Sequence, residues 1–330
     1  MDFYGYMRPN GKAGARNYVL LLPVNRSLNF IASNVERMTR NTRHFEIPAE
    51  TGRTEVDREV IARTLIGLMN NANVGGIVLL AVKSGAGSAY KNMCAERFEE
   101  EARKTGKPLR IVYLTNVGGS YNMLGETLRL TREVLLEVSD FRRENCPLSA
   151  LTLGVKCGTS DATSGIAGNP CVGAAFDQLI RAGGTAFFSE TTEIIGAEDL
   201  VAKRAVNESV AKKILSAARH WEDKAKATGE DIRKINPIPA NIAAGISSLE
   251  EKSLGAIAKS GPSPIQDVLK YAEMPKGSGL YFVDSWMSSL SLPLCLTACG
   301  ATIMLYQMGG GKIAQHPMMP SINPTVVSPF

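Results

Sequence analysis

Six consecutive residues, Lys156, Cys157, Gly158, Thr159, Ser160 and Asp161, bring an ammonium, a thiol, two hydroxyls and a carboxylate into one short stretch. Such a set can move protons, hold an anion or, through thiol and carboxylate, ligate a metal ion. The stretch follows an apolar run, 148–155, that reads as a buried strand, and it precedes a small-residue segment, 171–182, that reads as a helix. Gly158, Gly165 and Gly168 allow a sharp turn and a close approach to a ligand. The carboxyl end of a strand is where open α/β sheets place their ligands. An ordinary glycine-rich βα turn has the same composition, so the pattern alone leaves both readings open.

A second group follows the next predicted strand, 184–188. Glu190, Glu193 and Glu198 would stand beside the Cys157 loop, where carboxylates can bind a divalent cation or carry protons. The alternative is that they cap the helix that follows, which its N-terminal dipole favours; capping is the preferred reading for Glu198. Arg8, Lys12 and Arg16 precede the strand 18–23 and could clamp a carboxylate, or could simply be solvated. Lys252 and Lys259 lie seven apart on one face of a predicted helix, 249–259, where only a partner carboxylate would give them a function. His220 reads as a surface or packing residue of a long helix. Gly309–Lys312 could nest an anion but lacks P-loop spacing. The three histidines, His44, His220 and His316, never fall at metal-ligand spacing, which argues against a histidine-rich zinc site.

The elements that must carry these groups alternate. Strands at 18–23, 75–82 and 109–114 interleave with helices at 29–40, 55–70, 90–105 and 122–137, and the second half resumes the pattern. Loops are expected at 42–53 and 84–89, and the charged stretch 139–145 reads as a linker. The fold class predicted is α/β, with parallel-sheet, Rossmann-like lobes flanked by helices. The first domain is placed at 1–146 and a C-terminal catalytic domain at 147–330; one continuous sheet drawn from both halves is the alternative.

Composition bounds the function. The 330 residues are 44% hydrophobic and 21% charged, with a net charge of +5 that is scattered among acids, so nothing marks a nucleic-acid surface. A mild positive balance suits a small anionic substrate. The six cysteines form no CxxC pair, residues 1–16 carry no signal peptide, and no apolar run is long enough to cross a membrane. A cytoplasmic protein with reduced thiols is expected.

Five blocks resemble one family in order. RPNGKAGARNYVLLLP (Arg8–Pro23) and LGVKCGTSDATSGIAGNP (Leu153–Pro170) are similar to the opening and central blocks of the altronate/galactarate dehydratase family. GGTAFFSETTEIIGAE (Gly183–Glu198), NPIPANIAAG (Asn236–Gly245) and EKSLGAIAKSGPSPIQDVL (Glu251–Leu269) resemble its next three. The resemblance implies a hydro-lyase that converts a sugar acid such as altronate or galactarate to a 2-keto-3-deoxy acid. It also implies a divalent metal, Fe(2+) by expectation, and a small SAF-like β-clip domain. The core motif already begins at Arg8, so a separate small subunit is expected, along with a homodimer. The family also includes the large subunit of a sulfolactate sulfo-lyase, which makes that activity the runner-up; a non-catalytic relative that binds an acid or a partner subunit is the third reading. Where the family pattern carries cysteines, this chain has Arg26 or Ser27, the stretch 48–53, and the stretch 82–84; of its acidic DTPGxDxE motif only Asp284 remains.

Elimination from a hydroxy acid needs a base for the proton beside the carboxylate, a positive group for the charge that builds up, and an acid for the leaving group. The candidates are Lys156, Cys157, Asp161 and Lys252 for catalysis, and Cys157, Glu190 and Glu193 as metal ligands. Arg8, Arg16, Asn17, Thr159, Ser160, Ser164 and Asn169 are the candidates for holding substrate.

Overall fold

Val74–Ala81, VGGIVLLA, is buried at every position, as a parallel strand covered on both faces must be. The structure, a computed structural model, describes residues 1–49, 51–83, 90–158, 160–309 and 316–324. The chain divides into two units, Asp2–Cys146 and the part from Pro147 onward.

In the first unit the strands are β1 (Asp2–Met7), β2 (Ala13–Gly14), β3 (Tyr18–Pro23), β4 (Thr42–His44), β5 (Val74–Ala81), β6 (Leu109–Tyr113) and β7 (Glu144–Pro147). The helices are α1 (Asn29–Met38), α2 (Glu55–Asn70), α3 (Ala95–Lys104), α4 (Leu114–Val117) and α5 (Ser120–Ser139). A parallel sheet in the order β4-β3-β5-β6 forms the core, and β2-β1-β7 make a second, small sheet. Helix α2 starts at a capping box in which Thr54 and Asp57 satisfy each other's backbone N–H groups.

In the second unit the strands are β8 (Thr152–Cys157), β9 (Thr185–Phe188), β10 (Ile265–Leu269), β11 (Gly279–Val283), β12 (Ile303–Gln307) and β13 (Ser321–Ile322). Its helices are α6 (Asn169–Arg181), α7 (Thr191–Ile194), α8 (Glu198–Ala202), α9 (Glu208–Lys226), α10 (Ile232–Ile235), α11 (Pro239–Ala243), α12 (Leu249–Ile257) and α13 (Ser291–Cys299). All six strands are parallel, in the order β10-β11-β9-β8-β12-β13. The α/β alternation predicts this arrangement, and each unit has its own sheet, so the alternative of one shared sheet is overturned.

Other expectations need correction. The predicted linker ends in strand β7, and the loop predicted at 42–53 begins with strand β4. The strand predicted from 148 starts at Thr152, because Leu148–Ala150 form a 3-10 turn. The loop predicted at 84–89, and all of Gly309–Lys312 except Gly309, lie outside the described residues. No helix is long and apolar enough to cross a membrane among the described residues.

The strand order positions the site. The chain leaves β8 toward β9 on one side, whereas β12, on the other side of β8, leads away to β13. Neighbouring strands whose connections diverge open a crevice at their carboxyl ends, and ligands of doubly wound sheets bind there.

Candidate active site

Strands β8 and β9 pair from Thr152 opposite Thr185 to Gly154 opposite Phe187, so the loops leaving them start side by side. Lys156 and Cys157 close β8. After β9, Glu190 turns the chain into α7 with a left-handed φ of 73°. That conformation costs a non-glycine residue about 1–2 kcal/mol, and strain of this kind concentrates at functional sites. Glu193 follows on α7. This short helix is tied to β11 through Asp284, whose Oδ1 accepts from Thr191 Oγ1 and Trp221 Nε1, each at 2.8 Å.

A fifth group comes from a distant part of the chain. Helix α12, capped by the Ser248 hydroxyl, runs into a 3-10 turn at Ala258–Ser260 that carries Lys259 and stops at Gly261. The turn packs directly on α6. A Cβ at Gly173 would lie 2.3 Å from the Ala258 carbonyl oxygen and 2.8 Å from the Gly261 nitrogen, so glycine permits the approach.

The five side chains meet. Lys259 Nζ lies 3.1 Å from Cys157 Sγ, 2.5 Å from Glu190 Oε2 and 3.2 Å from Glu193 Oε2. Lys156 Nζ donates to Glu190 Oε1 at 3.1 Å and to the Cys157 carbonyl at 2.7 Å. The Cys157 N–H donates to Glu190 Oε2 at 3.0 Å. None of the five is more than 5% exposed. Lysine and glutamate are rarely buried unless paired, and here two ammonium groups face two carboxylates.

The cluster sets its own protonation. Burial alone would lower Lys259, but Cys157, Glu190 and Glu193 outweigh it and hold the ammonium well above its usual range. Lys156 is raised in the same way, burial being overcome chiefly by Glu190. For Glu190 burial works upward, and Lys259 and Lys156 prevail to keep it ionised below the usual carboxylate range. Burial pushes the Cys157 thiol up to about 12, with Lys259 opposing. At neutral pH the cluster therefore offers two fixed cations, an ionised Glu190 and a protonated thiol.

The donor atoms of Cys157, Glu190 and Glu193 lie within 4.8 Å of one another and could hold a metal ion. A thiol with two carboxylates suits a transition metal by donor type. Lys259 Nζ already bonds to all three, so a metal ion would have to displace the ammonium.

The remaining candidates separate. Asp161 stands outside the cluster: its Oδ1 accepts from Thr163 Oγ1 and from the Ser164 N–H and hydroxyl, which shapes the turn. Ser160, Asp161, Ser164, Asn169 and Lys252 line one cleft of about 300 Å³. Asn169 connects it to the cluster, with Oδ1 3.6 Å from Cys157 Sγ and Nδ2 bonded to the Gly255 carbonyl. Lys252 is buried, not solvated, and donates to Asn236 Oδ1 at 2.5 Å. Thr159 lies outside the described residues.

Glu190 and Glu193 turn toward the lysines instead of capping α7. Glu198 accepts from the Gly196 N–H and pairs with Arg233. His220 is exposed.

Arg8, Arg16 and Asn17 belong to the first unit. Arg8 is neither solvated nor directed at open space: it is buried, and donates to the carbonyls of Ala72 and Arg16 and to Asn17 Oδ1. Asn17 passes the link on to the Val138 carbonyl, and Arg16 Nη1 bonds to the Ala15 carbonyl.

Lys259 is not among the site residues predicted from the sequence, although it meets the condition set there, a partner carboxylate, twice over. Its signal is its position seven residues after Lys252 and just before the Gly261 stop; its burial has no signature in the sequence.

Residues 148–328 match the family described as D-galactarate/altronate dehydratase, C-terminal. Residues 5–139 match D-galactarate dehydratase/altronate hydrolase, second domain. The chain is 33% identical to the (2R)-sulfolactate sulfo-lyase subunit beta of Chromohalobacter salexigens, over 97% of this chain and 80% of that protein. It is 32% identical to the altronate dehydratase of Bacillus subtilis, over 94% of this chain and 62% of the relative. Identity to the galactarate dehydratase (L-threo-forming) of Escherichia coli is 30%, over 94% and 62% of the two chains.

Proposed function

Because this chain belongs to the D-galactarate/altronate dehydratase family and is a lyase, we propose that it eliminates a β-substituent from a small hydroxy acid at the Lys259 cluster. The observation that carries this reading is the contact of one ammonium, Lys259 Nζ, with Cys157, Glu190 and Glu193.

In the proposed reaction Glu193 takes the proton beside the substrate carboxylate. Electron density moves into that carboxylate, and the two ammonium groups stabilise the doubly charged enolate. Their raised affinity for protons keeps them cationic as the charge develops. The thiol of Cys157, which burial keeps protonated at neutral pH, gives a proton to the leaving group in this proposal. The enol product then tautomerises to a 2-keto acid. Ser160, Ser164, Asn169 and Lys252, lining the adjoining cleft, are proposed to hold the hydroxyls and the acid group. A divalent metal, ferrous ion in this proposal, would be held by Cys157 as a thiolate, Glu190 and Glu193 in place of the Lys259 ammonium, and would then supply by Lewis acidity the charge stabilisation otherwise given by Lys259.

Two leaving groups fit. Water is the choice suggested by the dehydratase relatives, giving a 2-keto-3-deoxy acid. Sulfite is the second, supported by the greater share of the sulfo-lyase subunit that the match spans, 80% against 62%. On that reading a second, smaller subunit completes the enzyme. The test is a panel of hexonates, hexarates and sulfolactate, with ferrous ion under reducing conditions, read as keto acid and as released sulfite. Formation of keto acid supports the reading; no product from any acid by folded protein, alone or with a small-subunit partner, refutes it.

A further inference from the structure

Gln307 ends β12, and its Cα is the register partner of Cys157 at the end of β8. The two residues thus stand buried at the carboxyl ends of neighbouring strands whose onward connections diverge, the position where doubly wound sheets bind ligands. Side chains of register partners on neighbouring strands project to the same face of a sheet. Cys157 Sγ reaches Asn169 on α6, and the Gln307 amide lies over Gly168, the residue before it. A Cβ at Gly168 would fall 2.4 Å from Gln307 Nε2.

The amide has nothing to bond to among the described residues. Gln307 is 1% exposed, and neither Oε1 nor Nε2 has a hydrogen-bond partner among them. Its backbone is in order, with the carbonyl accepting from the Gly158 N–H at 2.7 Å. Buried polar side chains are nearly always paired, and an exception calls for an explanation. A core position would be served better by an apolar residue of the same size. A glutamine at the carboxyl end of a strand, one strand from the cluster thiol, is explained by a partner that arrives with the ligand.

We propose that the Gln307 amide is a substrate-binding group of the Lys259 site, and that it recognises the adjacent hydroxyl and carboxylate of an α-hydroxy acid. The amide oxygen accepts from the hydroxyl and the NH2 group donates to the carboxylate. An α-hydroxy acid presents this donor and acceptor on neighbouring atoms, which matches the two ends of one amide. The inference rests on the lyase reading for the class of ligand, and on the unpartnered amide for the residue.

The test compares the full-length wild-type protein with Gln307→Met and Gln307→Glu. Each is assayed for keto acid from galactarate, altronate and sulfolactate, and for thermal unfolding without ligand by tryptophan fluorescence. Gln307→Met, which removes an amide with no partner among the described residues, should leave the unfolding midpoint unchanged or higher and lower kcat/KM at least 10-fold, mostly through KM. Gln307→Glu, nearly the same shape but lacking the donor and carrying a charge that repels an anionic acid, should lower it further. Unchanged KM and kcat in a folded Gln307→Met would overturn the proposal and leave the amide as a water site. A lower midpoint with unchanged KM would overturn it in favour of a structural role. If the wild type turns over none of the acids, the lyase reading fails and takes the ligand class with it; the proposal fails alone when the wild type is active and Gln307→Met matches it.

Discussion

Replacing Lys259 with methionine removes the ammonium that bonds to Glu190 and Glu193 and keeps the side-chain volume. Two carboxylates, at 1% and 5% exposure, are then left with Lys156, which reaches only Glu190. Breaking a buried ion pair from one side costs about 3–5 kcal/mol. For a unit of this size that corresponds to roughly 6–20 °C in the midpoint, at about 2–4 °C per kcal/mol. The loss should depend on pH. Glu190 is held below the usual carboxylate range in the native protein, so its contribution is present above its unfolded value and is lost as pH falls through the native one. In the variant, burial of Glu190 is no longer opposed by that ammonium, so the penalty is full at neutral pH and fades as Glu190 protonates. The gap between variant and wild type is therefore largest at pH 7 and shrinks toward pH 4.5. Both tryptophans, Trp221 and Trp286, lie in the second unit, so urea unfolding followed by tryptophan fluorescence reads that unit alone. Equal stability of Lys259→Met and wild type at pH 7 would refute the argument that Lys259 is the counter-charge of the cluster. A gap that does not change with pH would refute its electrostatic origin.

Two further predictions follow from individual side chains. With its thiol pushed up to about 12 and almost no exposed surface, Cys157 should resist iodoacetamide at pH 8 while the exposed Cys171 is alkylated; peptide mass spectrometry reads both, and equal labelling would contradict the buried thiol. His316 is lowered by burial to about 4, so the unfolded chain takes up its proton first and stability falls from about pH 6.5 to pH 4, by roughly 3 kcal/mol in full. His316→Met should flatten that slope in urea titrations, and an unchanged slope would assign the acid sensitivity to other groups.

The sequence carried the local frame well where a single periodicity dominated. Strand β3 and helix α2 run over the predicted residues, 18–23 and 55–70, since a fully apolar run and a clean 3.6-residue pattern each allow one structure. The adjacency of Cys157 to Glu190 and Glu193 was legible too, because consecutive βα units in a parallel sheet tend to be neighbours. Lys259 was not, since it comes from a 3-10 turn whose docking depends on Gly173, a contact with no local signature. Helix α13, SLPLCLTAC, is buried on nearly all sides and so shows no amphipathic period to read. Strand β1 is half exposed and lies outside the parallel core, so it lacks the apolar run that marked the other strands.

The central claim, that the Lys259 cluster performs the elimination, is tested most directly by substituting its proposed base. Glu193→Gln keeps the shape and the hydrogen bond from Lys259 Nζ to the side-chain oxygen but cannot take a proton. The rate of keto-acid formation from the best acid of the panel should fall by about 10²–10⁴-fold, as loss of a general base does, with the tryptophan unfolding transition retained. A folded Glu193→Gln protein that forms keto acid at the wild-type rate would contradict the account.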